Sequence, residues 1–205
     1  MKTTSRLVRR IWAAILGIVL ISVAVVAAYT GMLAGKEEKI IMSMSIMSPS
    51  FMHGSQIPER HTCDGLNTSP PITWVGVPPG TKSLALIVDD PDAPDPAAPK
   101  MTWVHWLLYN IPAHATGLIE GGAEGVTDKN LPAGTLQGIN DWHLSSYGGP
   151  CPPIGTHRYY FKLYALDRLL PDLKKPSKAT LEKAMHGHVL DQSSLVGLYR
   201  RQGGH

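Results

Sequence analysis

Beyond residue 45, glycine and proline recur so often that the apolar runs between them stay short. No other feature limits the possible folds as much. The whole sequence holds 20 glycines and 17 prolines. Proline fixes φ and removes a backbone donor, and glycine loses the most chain entropy on ordering, so neither suits a helix interior. Short apolar runs between such breaks are the pattern of a mainly β domain with long loops. No internal repeat is visible.

Four runs read as strands. Ser83–Val88 is almost continuously apolar. Trp103–Asn110, WVHWLLYN, is apolar on both faces, which suits a central strand covered on both sides. His157–Leu166, HRYYFKLYAL, alternates with period two. His157, Tyr159, Phe161, Leu163 and Ala165 share one face, which reads as the core face with His157 at its end. Leu195–Tyr199 reads as a last strand. A helix is expected over Ser177–Leu190, with Ser177 as its N-cap and Leu181, Ala184, Met185, His188 and Val189 along one face.

Directly after the first of these strands comes DDPDAPDP, residues 89–96. Proline cannot continue a ladder, so the strand is expected to end at Val88 and turn. Asp90 would end the strand at the mouth of a buried layer. Asp92 is expected to fix the bend through local backbone hydrogen bonds, with Pro91 and Pro94 stiffening it. Asp89 and Asp95 are expected to be solvated.

The N-terminal region has a different character. Lys2, Arg6, Arg9 and Arg10 precede an uncharged, mostly apolar run, Ile11–Gly35. As a helix this run would span about 36 Å, enough to cross a bilayer. It reads as a membrane anchor or a cleaved signal, with the basic flank inside and the remainder outside the cytoplasm. The expected organisation is therefore anchor or signal over 1–35, linker over 36–45, and one β domain over 46–205. The leading segment takes four of the 19 basic residues and none of the 16 acidic ones, which leaves the remainder slightly acidic. The net charge of +3 thus carries no indication of nucleic-acid binding, and neither a basic stripe nor a phosphate-binding glycine loop is present. Two cysteines, Cys63 and Cys151, would favour a bridge in an oxidising compartment; two separate buried thiols are the alternative.

Three titratable residues stand at or near the ends of apolar layers: Asp90, His105 and His157. Convergence of the three would allow two chemistries. Two histidines and a carboxylate could hold a metal, as in a metal-dependent hydrolase. Alternatively, the carboxylate orients one imidazole and the rings donate outward to an anion such as phosphate. The stretch Tyr147–His157 forms a stiff loop leading into His157, since Gly148 and Gly149 permit close approach and Pro150, Pro152 and Pro153 restrict φ. Trp142 and His143 precede it and could reach the same place.

The blocks DPDAP (90–94), WVHW (103–106) and GPCPPIGTHRY (149–159), together with CDGLNTSPP (63–71) and Trp74, resemble the phosphatidylethanolamine-binding protein family. The bacterial Raf-kinase-inhibitor-like branch matches best, over roughly residues 46–200. The resemblance implies a mainly β fold of two packed antiparallel sheets, one large and one small, with a few peripheral helices. It also implies a small anion pocket for phosphate-like or phospholipid head groups. The implied pocket residues are Asp90, His105 and His157, with Pro94 and Trp103 lining the pocket, Gly149 and Pro150 forming a loop wall, and Tyr159 behind His157. In some extracytoplasmic members the equivalents of Cys63 and Cys151 are joined. No cofactor and no catalytic residue is implied. An outward-facing domain argues against inhibition of a cytoplasmic kinase. Asp95–Lys100, richer in proline and alanine than the family's usual link, points to an altered rim. The alternative role is an inhibitor of, or signalling partner for, another protein such as a protease, engaged through the pocket rim or residues 91–102.

Overall fold

The long strands follow from the apolar runs, and all but one are longer than the runs themselves. The computed structural model describes residues 43–121 and 131–201, together with Val25. Apart from Val25, the expected anchor or signal segment lies outside these residues. No described helix is long and apolar enough to cross a membrane. In chain order the described strands are β1 (Ser45–Met47), β2 (Ser55–Gln56), β3 (Ile72–Val75), β4 (Ser83–Ala93), β5 (Met101–Pro112), β6 (Gly117–Leu118), β7 (Leu136–Gln137), β8 (His157–Leu166) and β9 (Val189–Tyr199). A 3-10 turn covers Glu59–His61, and α1 covers Lys178–Met185.

The strands form a small sheet in the order β1-β3-β6 and a large sheet in the order β2-β9-β8-β4-β5-β7. Neighbours are antiparallel except β2, whose two residues pair with β9 in parallel. One core lies on the large-sheet face that carries Leu84, Leu86, Val88, Trp106, Phe161 and Leu163, and it includes Ile46, Ile72 and Trp74 of the small sheet. The opposite face carries Ala85, Ile87, Val104, Leu107 and Tyr109, packed with Leu181 and Met185 of α1. This double cover is why β4 and the middle of β5 read as continuous apolar runs rather than alternating ones.

Three expectations need correction. First, β4 does not end at Val88 but runs on through Asp89, Asp90, Pro91 and Asp92 to Ala93. Its pairing with β8 stops at Asp89, and its pairing with β5 is irregular between Asp90 and Ala93. Pro91 therefore sits where the ladder needs no donor. Second, α1 stops at Met185. Ser177 caps it as expected, accepting from Thr180 N–H, but Gly187 follows in the left-handed region, at φ 79°, where helices commonly stop. Val189 and Leu190 then belong to β9. His188 lies beyond the helix and pairs with Asp167 at 3.0 Å. Third, two of the acids, Asp89 and Asp92, depart from what was expected of them. Asp89 is fully buried. Lys162 Nζ lies 2.7 Å from its Oδ1 and Lys178 Nζ 2.6 Å from its Oδ2, which supplies the pairing a buried charge requires. Asp92 does not hold a local turn. Its carboxylate takes Arg158 in a two-pronged contact, Nη2 to Oδ1 at 2.6 Å and Nε to Oδ2 at 2.9 Å, and also accepts Arg158 N–H.

Candidate functional site

The site forms where β4, β5 and β8 end together. Asp90 and Trp103 are register partners across β4 and β5. One step earlier Val88 faces Trp106, while Asp89 faces Val104, so His105 has no opposite number. It is the extra residue of a β-bulge. Alternation along β5 puts His105 on the side of Trp103, and the bulge leaves it on the side that its neighbour Trp106 also faces. On β8, alternation places His157 and Tyr159 there as well.

The result is a cavity of about 330 Å³ lined by Asp90, Ala93, Pro94, Lys100, Met101, Trp103, His105, Pro152, Pro153, His157 and Tyr159. Six of the eight residues expected from sequence meet there: Asp90, Pro94, Trp103, His105, His157 and Tyr159. Gly149 and Pro150 do not line it. Gly149 N–H donates to Asn67 Oδ1 at 2.7 Å, and Pro150 carbonyl accepts from Cys63 N–H. They anchor the loop to residues 61–67, and the loop's wall residues are the next prolines, Pro152 and Pro153. Cys63 and Cys151 form a disulfide beside this anchor, with Cα atoms 5.4 Å apart.

Hydrogen bonding divides the polar groups into two kinds. Asp90 and His157 are committed to the protein. Asp90 Oδ1 accepts Asp92 N–H at 2.8 Å, and Oδ2 lies 2.7 Å from His157 Nδ1. The other ring nitrogen, Nε2, lies 3.0 Å from Ile154 carbonyl. Both nitrogens of His157 therefore face acceptors and neither donates outward. This departs from the expectation that both imidazoles greet an anion.

His105 is the other kind. Its Nδ1 donates to Gly148 carbonyl at 2.6 Å, while Nε2 has no partner among the described residues. The ring is buried, and burial holds its pKa below the usual imidazole range despite the opposing pull of the Gly148 carbonyl and Asp90. Tyr159 and Trp142 each pack edge-on against it, at 5.1 Å between ring centres. Tyr159 Oη and Trp103 Nε1 are buried without a partner among the described residues. Burial pushes the Tyr159 phenol far up, so the hydroxyl keeps its proton.

Sequence reasoning did not single out Ala93, Lys100 or Met101 for the lining. Nor did it show that the carbonyls of Gly148 and Ile154 fix the two imidazoles, because backbone groups carry no residue-type signature. Trp142 reaches the site through its contacts with His105 and Trp103. His143 instead lines a separate cleft beside α1. No group of three His, Cys, Asp or Glu among the described residues is placed to hold a metal. The reason is local: Asp90 and His157 spend their lone pairs and donors on each other and on the backbone.

Two packed sheets with an apolar-walled pocket at the strand ends, set with a few polar groups, define a mainly β domain of the sandwich class. Residues 47–200 match the model of the phosphatidylethanolamine-binding protein family, and the chain belongs to that family. A UPF0098 protein of Methanothermobacter thermautotrophicus is 50% identical over 159 residues, covering 77% of this chain and 99% of that one. Among solved structures, Escherichia coli YbcL, a member of the mammalian PEBP family, aligns with a TM-score of 0.70 and 35% identity over 78% of this chain and 99% of that one. A phosphatidylethanolamine-binding protein homologue of Chlamydia trachomatis aligns with a TM-score of 0.69 and 36% identity, at the same coverage.

Proposed function

We propose that this protein is a binding domain rather than an enzyme, and that it receives a phosphate-like anion or a phospholipid head group in the cavity at the ends of β4, β5 and β8. The observation that carries this reading is the meeting of the Asp90–His157 pair, His105 and Tyr159 in one apolar-walled pocket. The Asp90–His157 hydrogen bond holds one wall, and the groups without a partner among the described residues are left for a ligand. No nucleophile with an adjacent base and an oxyanion site is arranged there, which favours binding over turnover. The domain is proposed to work outside the cytoplasm, anchored by or exported through the apolar N-terminal run. The Cys63–Cys151 disulfide supports that placement, since such bonds persist in oxidising compartments.

Titration calorimetry with phosphate and phosphoethanolamine tests the site. Wild-type protein should bind, and His157→Ala should bind at least about tenfold more weakly, in keeping with the loss of a charge-assisted hydrogen bond to Asp90. Equal affinities would remove the site assignment.

A further inference from the structure

The stretch from Cys151 to Thr156 makes almost no hydrogen bonds, although the chain just before it is tied down at every residue. Tyr147 Oη donates to His61 carbonyl at 2.9 Å, Gly148 N–H to His105 carbonyl at 3.0 Å and Gly149 N–H to Asn67 Oδ1 at 2.7 Å, while Pro150 carbonyl accepts Cys63 N–H at 3.1 Å. Just after the stretch, His157 enters β8 opposite Tyr199. Between these points no backbone N–H has a partner among the described residues. Pro152 and Pro153 have none to offer. Ile154 carbonyl meets His157 Nε2, a contact inside the same loop. Apart from packing, the Cys63–Cys151 bridge is what ties residues 151–156 to the rest of the domain.

The two halves of the bridge stand on unlike supports. Cys63 follows a fixed turn: Thr62 bonds Glu59 carbonyl through both its N–H and its hydroxyl, and the N–H groups of Gly65 and Asn67 bond Thr62 carbonyl. Cys151 leads into Pro152 and Pro153 of the cavity wall and into Ile154, whose carbonyl orients His157. Both half-cystines are exposed residues. Exposed disulfides are the labile kind, open to attack by a thiolate without unfolding.

We infer that the Cys63–Cys151 bridge is a thiol-exchange site that switches the cavity wall between a fixed and a released state. Its chemical partner is a dithiol. One thiolate of the dithiol attacks a bridge sulfur, the S–S bond breaks, and a mixed disulfide forms. The second thiolate then displaces the cysteine still held. Cys63 and Cys151 together gain two electrons and two protons, and the dithiol is oxidised to its own disulfide. The fixed turn keeps Cys63 in place for closure by the reverse exchange. In the released state a ligand has to order Pro152 and Pro153 as it binds, which costs affinity. That consequence rests on the proposed binding role of the cavity; the exchange itself does not.

The experiment treats folded protein with dithiothreitol at pH 8 without denaturant. Both cysteines should become titratable as thiols while the far-ultraviolet circular dichroism stays unchanged. Amide order parameters from nitrogen relaxation should drop at Ile154, Gly155 and Thr156, from about 0.85 to below about 0.6, and stay level along β8. Calorimetry with phosphoethanolamine should show an affinity at least about threefold lower in the reduced form. Protein carrying Cys63→Ser and Cys151→Ser together should match the reduced form in both readouts and ignore the dithiol. A bridge that resists dithiothreitol until the fold is lost overturns the inference. So do order parameters that hold after reduction, or a fall in them that leaves affinity unchanged. Binding of phosphoethanolamine to neither form overturns the anion pocket instead, and the relaxation result then decides the exchange site by itself.

Discussion

His157 has no ring nitrogen to spare and His105 has one. The difference between these two residues sets most of the chemistry of the site. Both would be called pocket histidines from sequence, because their residue types and places at strand ends are alike. Their partners distinguish them: Asp90 and Ile154 carbonyl take both nitrogens of His157, and Gly148 carbonyl takes one of His105. The same limit applies to the acids of 89–92. Their number and order are plain, but a proline-laden stretch read as leaving the sheet gave no reason to bury Asp89 or to aim Asp92 at Arg158. A pH test belongs at this scale. Burial depresses both His61 and His105. In the unfolded chain each takes a proton below about pH 6.5, whereas the folded state resists until lower pH. The stability tied to these neutral rings is therefore complete above about pH 6.5 and is lost as pH falls through the folded values. Urea midpoints of ligand-free protein should stay level from pH 8 to 7 and fall toward pH 5. A flat profile would show that both rings charge as readily in the folded protein as in the unfolded chain.

At the scale of elements, β8 was legible in full, since one covered and one open face leave a clean alternation. Strands β4 and β5 were legible in place and shorter than they are. Their irregularities were invisible, because an extra residue in a run that is apolar on both faces does not disturb its pattern. Asn110, at φ 55°, stands at a second register shift of the same strand pair and follows this rule too. The loop after Tyr147 shows the opposite case, where residue types announce a rigid wall but not which of them faces the ligand. Gly149 is an anchor because there is no room for more. An added Cβ would come within 2.5 Å of both Asn67 Oδ1 and His61 carbonyl. Gly149→Ala should lower stability by about 1–3 kcal/mol, the range for overpacking a tight site, and should weaken ligand binding as the prolines shift. Chemical denaturation paired with calorimetry checks both, and an unchanged midpoint would mean that the loop gives way freely.

For the whole molecule, the two-sheet sandwich was legible through its motifs rather than its periodicities, because the small sheet is made of strands of two to four residues. The disulfide ties distant parts of the chain across a separation of 88 residues. In the chain-entropy model a closure of that length is worth on the order of 4 kcal/mol. Replacing both cysteines with serine should lower the unfolding free energy by about 2–4 kcal/mol, the usual yield of a native bridge. Guanidinium denaturation of the two proteins measures it, and coincident curves would show that the bridge only follows a loop already held by Asn67 and Cys63 N–H.

The tryptophans have a practical consequence. Of the five in the sequence, Trp74 and Trp106 are buried with their indole N–H groups bonded to Ala115 carbonyl and Gln137 Oε1. Trp103 lines the cavity, and Trp142 lies edge-on to it at 5.4 Å while also touching His105. One of the chain's fluorophores thus lines the cavity, and a second packs on both it and His105. The protein carries its own optical reporter, and occupancy can be followed by emission without a label.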